Sequence, residues 1–305
     1  MGAFVLTLLL LVALSFGSTP SDRCFSLLNA GDLKRAISAG KEAVKLQPRN
    51  VDALYCLGTA YQLSGMLDLA LKYLKKAESH ATSKSDLMHI YNRMGIAFSK
   101  KGDNDSALYY YMKSLSLAKD LQRTDMQSTL LNNIGIIYNR KGEYDKALRY
   151  YEMSIALNRD EESKAPTYNN IAFIYLRKGD YAKAEEFFKK AIEAHELGGN
   201  YAGTGVAMLN LGDLYRLKKD YATALKYISE GLTRVKKAGN LYWSATGYQY
   251  FGWLAWDAGQ YKIALESLQQ AYELFSKIGA SSRANSVKKD IQELKRLMRT
   301  SGKGS

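Results

Sequence analysis

The chain holds few groups able to do covalent chemistry, and none are spaced to act together. Its three histidines, His80, His89 and His195, are dispersed, no Cys/His set has the spacing of a zinc site, and no nucleophile elbow is present. The cluster GGNYAGTG at 198–205 has the glycine density of a phosphate loop but lacks the strand before it and the Gly-Lys-Ser/Thr after it. It reads as a linker plus close helix packing. Cys24 and Cys56 read as two small buried thiols, with a disulfide as the alternative. The chemistry that recurs is non-covalent. Cys56, Arg93, Asn133, Asn170, Asn210 and Tyr250 return at intervals of 37 to 40 residues, and three consecutive members are asparagines. A carboxamide donates to a peptide carbonyl and accepts from a peptide N–H at once, so a row of them can hold an extended chain by its backbone. The competing reading is that Asn132–Asn133 and Asn169–Asn170 only solvate an exposed helix face, where asparagine gains nothing from the interior of a helix. Three residues further along each copy stand Ile96, Ile136, Phe173, Asp213 and Trp253. With Tyr250 and Trp256 they make the last copy aromatic, either to anchor a ligand side chain or to pack against the end of the chain.

These residues must be positioned by helices. Over residues 131–157, LNNIGIIYNRKGEYDKALRYYEMSIAL, apolar positions Leu131, Ile134, Ile137 and Tyr138 recur at helical spacing up to Lys141, and Gly142 supplies the left-handed residue that ends a helix. A second helix follows with Tyr144, Ala147, Leu148, Tyr151 and Ile155 on one face. Such a hairpin cannot bury its own apolar face, so it must stack on copies of itself.

The copies are visible in register. A small residue on each first helix falls at Cys24, Gly58, Gly95, Gly135, Ala172, Gly212 and Gly252, and twelve residues on stand Ala36, Ala70, Ala107, Ala147, Ala184, Ala224 and Ala264. An aromatic or small residue three places after the first column gives Tyr61, Phe98, Tyr138, Tyr175, Tyr215 and Ala255. These columns resemble the tetratricopeptide repeat (TPR), the helix–turn–helix unit of solenoid proteins. The resemblance covers about residues 18–276 in seven units, near 18–50, 51–84, 85–122, 124–160, 163–198, 200–238 and 240–276. Units of 37–40 residues are similar to those of LGN-type and kinesin-light-chain-type adaptors. The expected fold is all-α: a right-handed superhelical solenoid of about seven TPR hairpins. A capping helix at 281–299 and a disordered tail at 300–305 complete it.

The resemblance implies a concave groove lined by first helices. Its candidate residues here are Arg93, Asn133, Asn170, Asn210, Phe173, Tyr250 and Trp253. The asparagine column resembles the ladder in O-GlcNAc transferase and LGN-like adaptors. The carboxylate clamp of chaperone-binding members needs a lysine three residues before the small column and an asparagine one after it; here those places hold, for example, Asn132 and Ile136, so the clamp is absent. The implied function is a non-catalytic scaffold that binds an extended peptide or protein segment, with no cofactor. The alternative is the sensor or regulatory module of an envelope signalling system, truncated or stand-alone.

Composition bounds the partner and the compartment. Lys+Arg number 43 against 30 Asp+Glu, a net charge of +13, which favours an acidic protein or peptide. The basic residues are spread over the copies without interleaved stacking platforms, which argues against nucleic acid. Residues 1–17, MGAFVLTLLLLVALSFG, have the apolar core and small-residue end of a signal peptide, too short to span a bilayer comfortably. Export to the periplasm, envelope or exterior is expected if that leader is cleaved, and tethering by the N-terminus otherwise. No stable span is expected after its removal.

Overall fold

A computed structural model describes residues 19–301, all of whose regular structure is helical. The leader at 1–17 and residues 302–305 of the expected tail lie outside the described residues. The chain forms two compact units, Met1–Tyr150 and Tyr151–Ser305.

In the first unit the helices run Pro20–Asn29 (α1), Leu33–Leu46 (α2), Val51–Leu63 (α3), Leu67–His80 (α4), Lys84–Lys101 (α5), Asn104–Asp120 (α6) and Thr124–Arg140 (α7), then the start of Tyr144–Leu157 (α8). In the second they continue from α8 through Glu161–Arg177 (α9), Tyr181–Leu197 (α10), Tyr201–Leu217 (α11), Tyr221–Lys237 (α12), Leu241–Asp257 (α13), Tyr261–Lys277 (α14) and Ser281–Ser301 (α15). Within each unit consecutive helices pack in chain order. First helices of successive hairpins also touch, α1 with α3, α3 with α5 and α11 with α13.

The local causes repeat. Helix α5 ends where Gly102 adopts φ 83°, and Asp103 then caps α6 by accepting a hydrogen bond from the Ser106 backbone N–H at 3.0 Å. The same device recurs at Gly179 with Asp180. Gly199 with Asn200 and Gly239 with Asn240 likewise end and restart helices. All seven alanines of the second small column are fully buried. They let the paired helices approach, and aromatic pairs fill the flanks. Tyr61 stacks on Tyr73, Phe98 on Tyr110, Tyr138 on Tyr150, Tyr175 on Phe187 and Tyr215 on Tyr227, with centroids 5.3–5.7 Å apart. The partner lies twelve residues on in every case, beside the buried alanine.

Two expectations are corrected. Cys24 and Cys56 are joined in a disulfide rather than standing as separate thiols. Both side chains are fully buried with Ala39, against Phe25, Leu27 and Leu28, because α1 and α3 are neighbours and bring the two sulfurs together. The last helix also runs on through residue 300, which had been assigned to the tail. There the Thr300 hydroxyl donates to the Leu297 carbonyl at 2.9 Å and extends the final turn.

Candidate functional site

In the first unit Arg93 lies half-buried on α5 and reaches back to α3. Its Nε donates to the Tyr55 hydroxyl at 3.3 Å and its Nη1 to Gln62 Oε1 at 3.4 Å. Asn92 beside it, and Asn132 and Asn133 on α7, are also half-buried. At the end of the first helices, Arg140 donates to the Ser99 hydroxyl at 2.7 Å and to the Ser99 carbonyl at 3.0 Å. The basic residue at that position therefore ties one first helix to the one before it, in addition to any interaction with the helix dipole.

The second unit holds Asn170, Asn210, Phe173, Tyr250 and Trp253. Asn170 is half-buried on α9. Asn210 is only 2% exposed, and its Nδ2 donates to Asn169 Oδ1 at 2.9 Å. Phe173 meets Phe188 edge-on at 5.3 Å and packs with the core of its hairpin. Within the column two residues before the small one, Cys56, Arg93 and Asn210 each bond the preceding first helix. These three side chains face the neighbouring first helix, which periodicity within one hairpin does not reveal.

Aromatic and charged groups converge between α11 and α13. Tyr250 and Trp253 on α13 lie 5.7 Å apart between ring centroids. Trp253 Nε1 donates to Asp290 Oδ2 on α15 at 3.0 Å, so the indole does contact the terminal helix. The Arg216 guanidinium sits 5.4 Å from the centre of the Trp253 ring, its Nε donating to Asp213 Oδ1 and its Nη1 to Asp257 Oδ2, both at 2.7 Å. Burial pushes the Asp213 carboxyl above the usual carboxylate range, against the lowering effect of Arg216. Burial, followed by the Asp213 charge, raises the Tyr250 phenol as well. Arg216, Trp253, Trp256 and Asp257 line an open cavity of about 230 Å3. Of these only Trp253 belongs to the candidate groove set drawn from the sequence. Arg216 and Asp257 fall four and five residues after the small column, where Ser99 and Arg140 already form an inter-repeat pair, and that recurrence is the signal that could have found them.

A tetratricopeptide repeat family model matches residues 50–120, 86–160 and 163–237, well over half of the chain. The chain belongs to the tetratricopeptide repeat family. A TPR repeat-containing protein of Methanocaldococcus jannaschii is 33% identical over 94 residues, which are 31% of this chain and 16% of that protein. The chain thus matches about a sixth of the length of that curated relative. Among solved structures, a tetratricopeptide repeat protein from Parabacteroides merdae aligns with TM-score 0.64 and 18% identity, covering 88% of this chain and 97% of that one. The apo form of the quorum sensor NprR from B. thuringiensis aligns at 0.65 and 16%, covering 90% and 86%. A Rap protein complexed with Competence and Sporulation Factor aligns at 0.62 and 14%, covering 86% and 80%. At these identities the structures share the TPR fold. Among the described residues no helix is long and apolar enough to cross a membrane.

Proposed function

We propose that the chain is an interaction module whose first-helix faces bind an extended peptide or protein segment. The observation that carries this reading is a half-buried carboxamide on a first helix of the first unit, Asn133, outside the apolar core. It has the donor and acceptor needed to match a peptide backbone. Within their own units Arg93 and Asn210 act as positioning residues, since each is engaged with the first helix before it. Tyr250 and Trp253 supply the aromatic end. Phe173 supports that face from within its hairpin. The Rap protein's complex with Competence and Sporulation Factor supports ligand capture by this fold, and the net charge of +13 favours an acidic segment overall. The test is affinity for peptides selected from a random displayed library. Asn133→Ala is expected to weaken capture at an unchanged melting temperature, and equal capture would remove the reading.

Export is the second part of the proposal. It rests on the leader-like run at 1–17 and on the Cys24–Cys56 disulfide, because such bonds persist in oxidising compartments and are rare in the cytosol. Alkylation of thiols in intact cells of the native host is expected to leave both cysteines unlabelled. Two labelled cysteines on a chain that retains Met1 would refute export.

A further inference from the structure

The cavity between α11 and α13 differs in character from the rest of this basic chain. Its walls are two indoles, Trp253 and Trp256, with Arg216 and Asp257 at the rim. Behind them Asp213 holds Arg216 and Asp290 holds the Trp253 indole N–H. Two carboxylates, Asp213 and Asp257, thus hold the one guanidinium of the site and Asp290 adds a third beside Trp253, with Arg283 on α15 the further cation acting on neighbouring Tyr250. The local balance is acidic on a chain of net +13. Arg216 has both Nε and Nη1 committed to carboxylates, so it is poorly placed to attract an anion. The Trp253 ring already carries Arg216, and the half-buried Trp256 indole is the one that favours a further cation. At about 230 Å3 the space lies below the range of about 300–1,000 Å3 typical of small-molecule pockets, and suits one long side chain instead.

We propose that this cavity is a subsite for a basic side chain, lysine or arginine, of the bound segment, held against the Trp256 indole with its charge toward Asp257. The proposal deepens the reading that the first-helix face is the binding face, and rests on it. A partner that meets the basic array with acidic residues would present one cation here, which fixes its register along the face.

The test uses the full chain and the blocked peptides acetyl-Gly-Gly-Lys-Gly-Gly-amide and its arginine, norleucine and glutamate counterparts. Indole N–H resonances of the three tryptophans are followed by NMR, with Trp243, which lies against Tyr242 outside the cavity, as internal reference. Saturable shifts of Trp253 and Trp256 are expected with the lysine and arginine peptides, at affinity at least ten-fold above that of the norleucine peptide. Asp257→Asn is expected to cut that preference at least five-fold while Trp243 stays in place. Equal response to norleucine, preference for glutamate, or no response to any peptide would overturn the proposal. The blocked peptides reach the cavity alone and the library-selected peptide reads the wider binding face, so failure of the one and failure of the other are read separately.

Discussion

Reduction of the Cys24–Cys56 bond should loosen the first hairpin and little else. The bond closes a loop of sequence separation 32 that contains all of α2. For a loop of that length the chain-entropy relation gives about 4 kcal/mol of stabilisation. The apolar support for α1 is small: Phe25, Leu27 and Leu28 against Cys24, Ala39 and Cys56. In a repeat array each hairpin is held chiefly by its neighbour, so a loss of about 4 kcal/mol falls on the terminal hairpin and is not shared along the chain. Native-state hydrogen exchange with and without a phosphine reductant measures it directly. Amides of α1 and α2 should lose protection by up to about a thousand-fold, the equivalent of about 4 kcal/mol, while those of α5 and α6 stay as they were. Reduction keeps every side-chain atom except for the bond, so no cavity confuses the comparison. Unchanged exchange in α1 and α2 would show that packing alone holds the hairpin. Uniform loosening of the whole unit would refute the nearest-neighbour reasoning.

Two further outcomes follow from the packing and the charges. At Gly231 an added methyl would lie 2.7 Å from the Gly205 carbonyl oxygen and 2.9 Å from the Leu209 backbone nitrogen, so α11 and α12 must part. Gly231→Ala should cost about 1–3 kcal/mol of overpacking against about 1 kcal/mol gained in helix propensity, a net loss seen as a lower melting temperature; an unchanged or higher one contradicts the contact. Glu185 is raised by burial but lowered more by hydrogen bonds from Lys189, Lys218 and the Tyr215 hydroxyl, each at 2.7 Å, to about 2. A carboxyl depressed from 4.5 contributes stability that is whole above that pH and lost as the pH falls toward about 2. Melting curves from pH 5 to 2 should therefore fall more steeply for the native chain than for Glu185→Gln, and parallel curves would deny the interaction.

The hairpins were legible because stacking imposes a fixed distance between small residues. Gly135 and Ala147 announce a close approach, and both are buried where the two columns predict. The left-handed Gly142 was equally plain, since few other residues tolerate that backbone conformation. What lay between first helices was not legible. Cys56 sits two places before its small residue and Cys24 on its own, and nothing in a spacing of 32 says that adjacent helices turn those flanks toward each other. Asn210 was hidden for the same reason, reading like Asn133 although its amide is spent on Asn169. Asp257 and Arg216 matter only as a pair across two copies. The candidate face was therefore found from the columns, and the division of its residues between holding the array and meeting a ligand required the structure.

The most direct test of the binding face is calorimetric titration of a library-selected peptide into the native chain and into the Asn133→Ala variant. A carboxamide–backbone contact is worth about 0.5–1.5 kcal/mol net, so losing it should weaken binding by roughly two- to ten-fold with the melting temperature held. Equal affinity in the two proteins would contradict a role for this first-helix carboxamide in holding an extended segment.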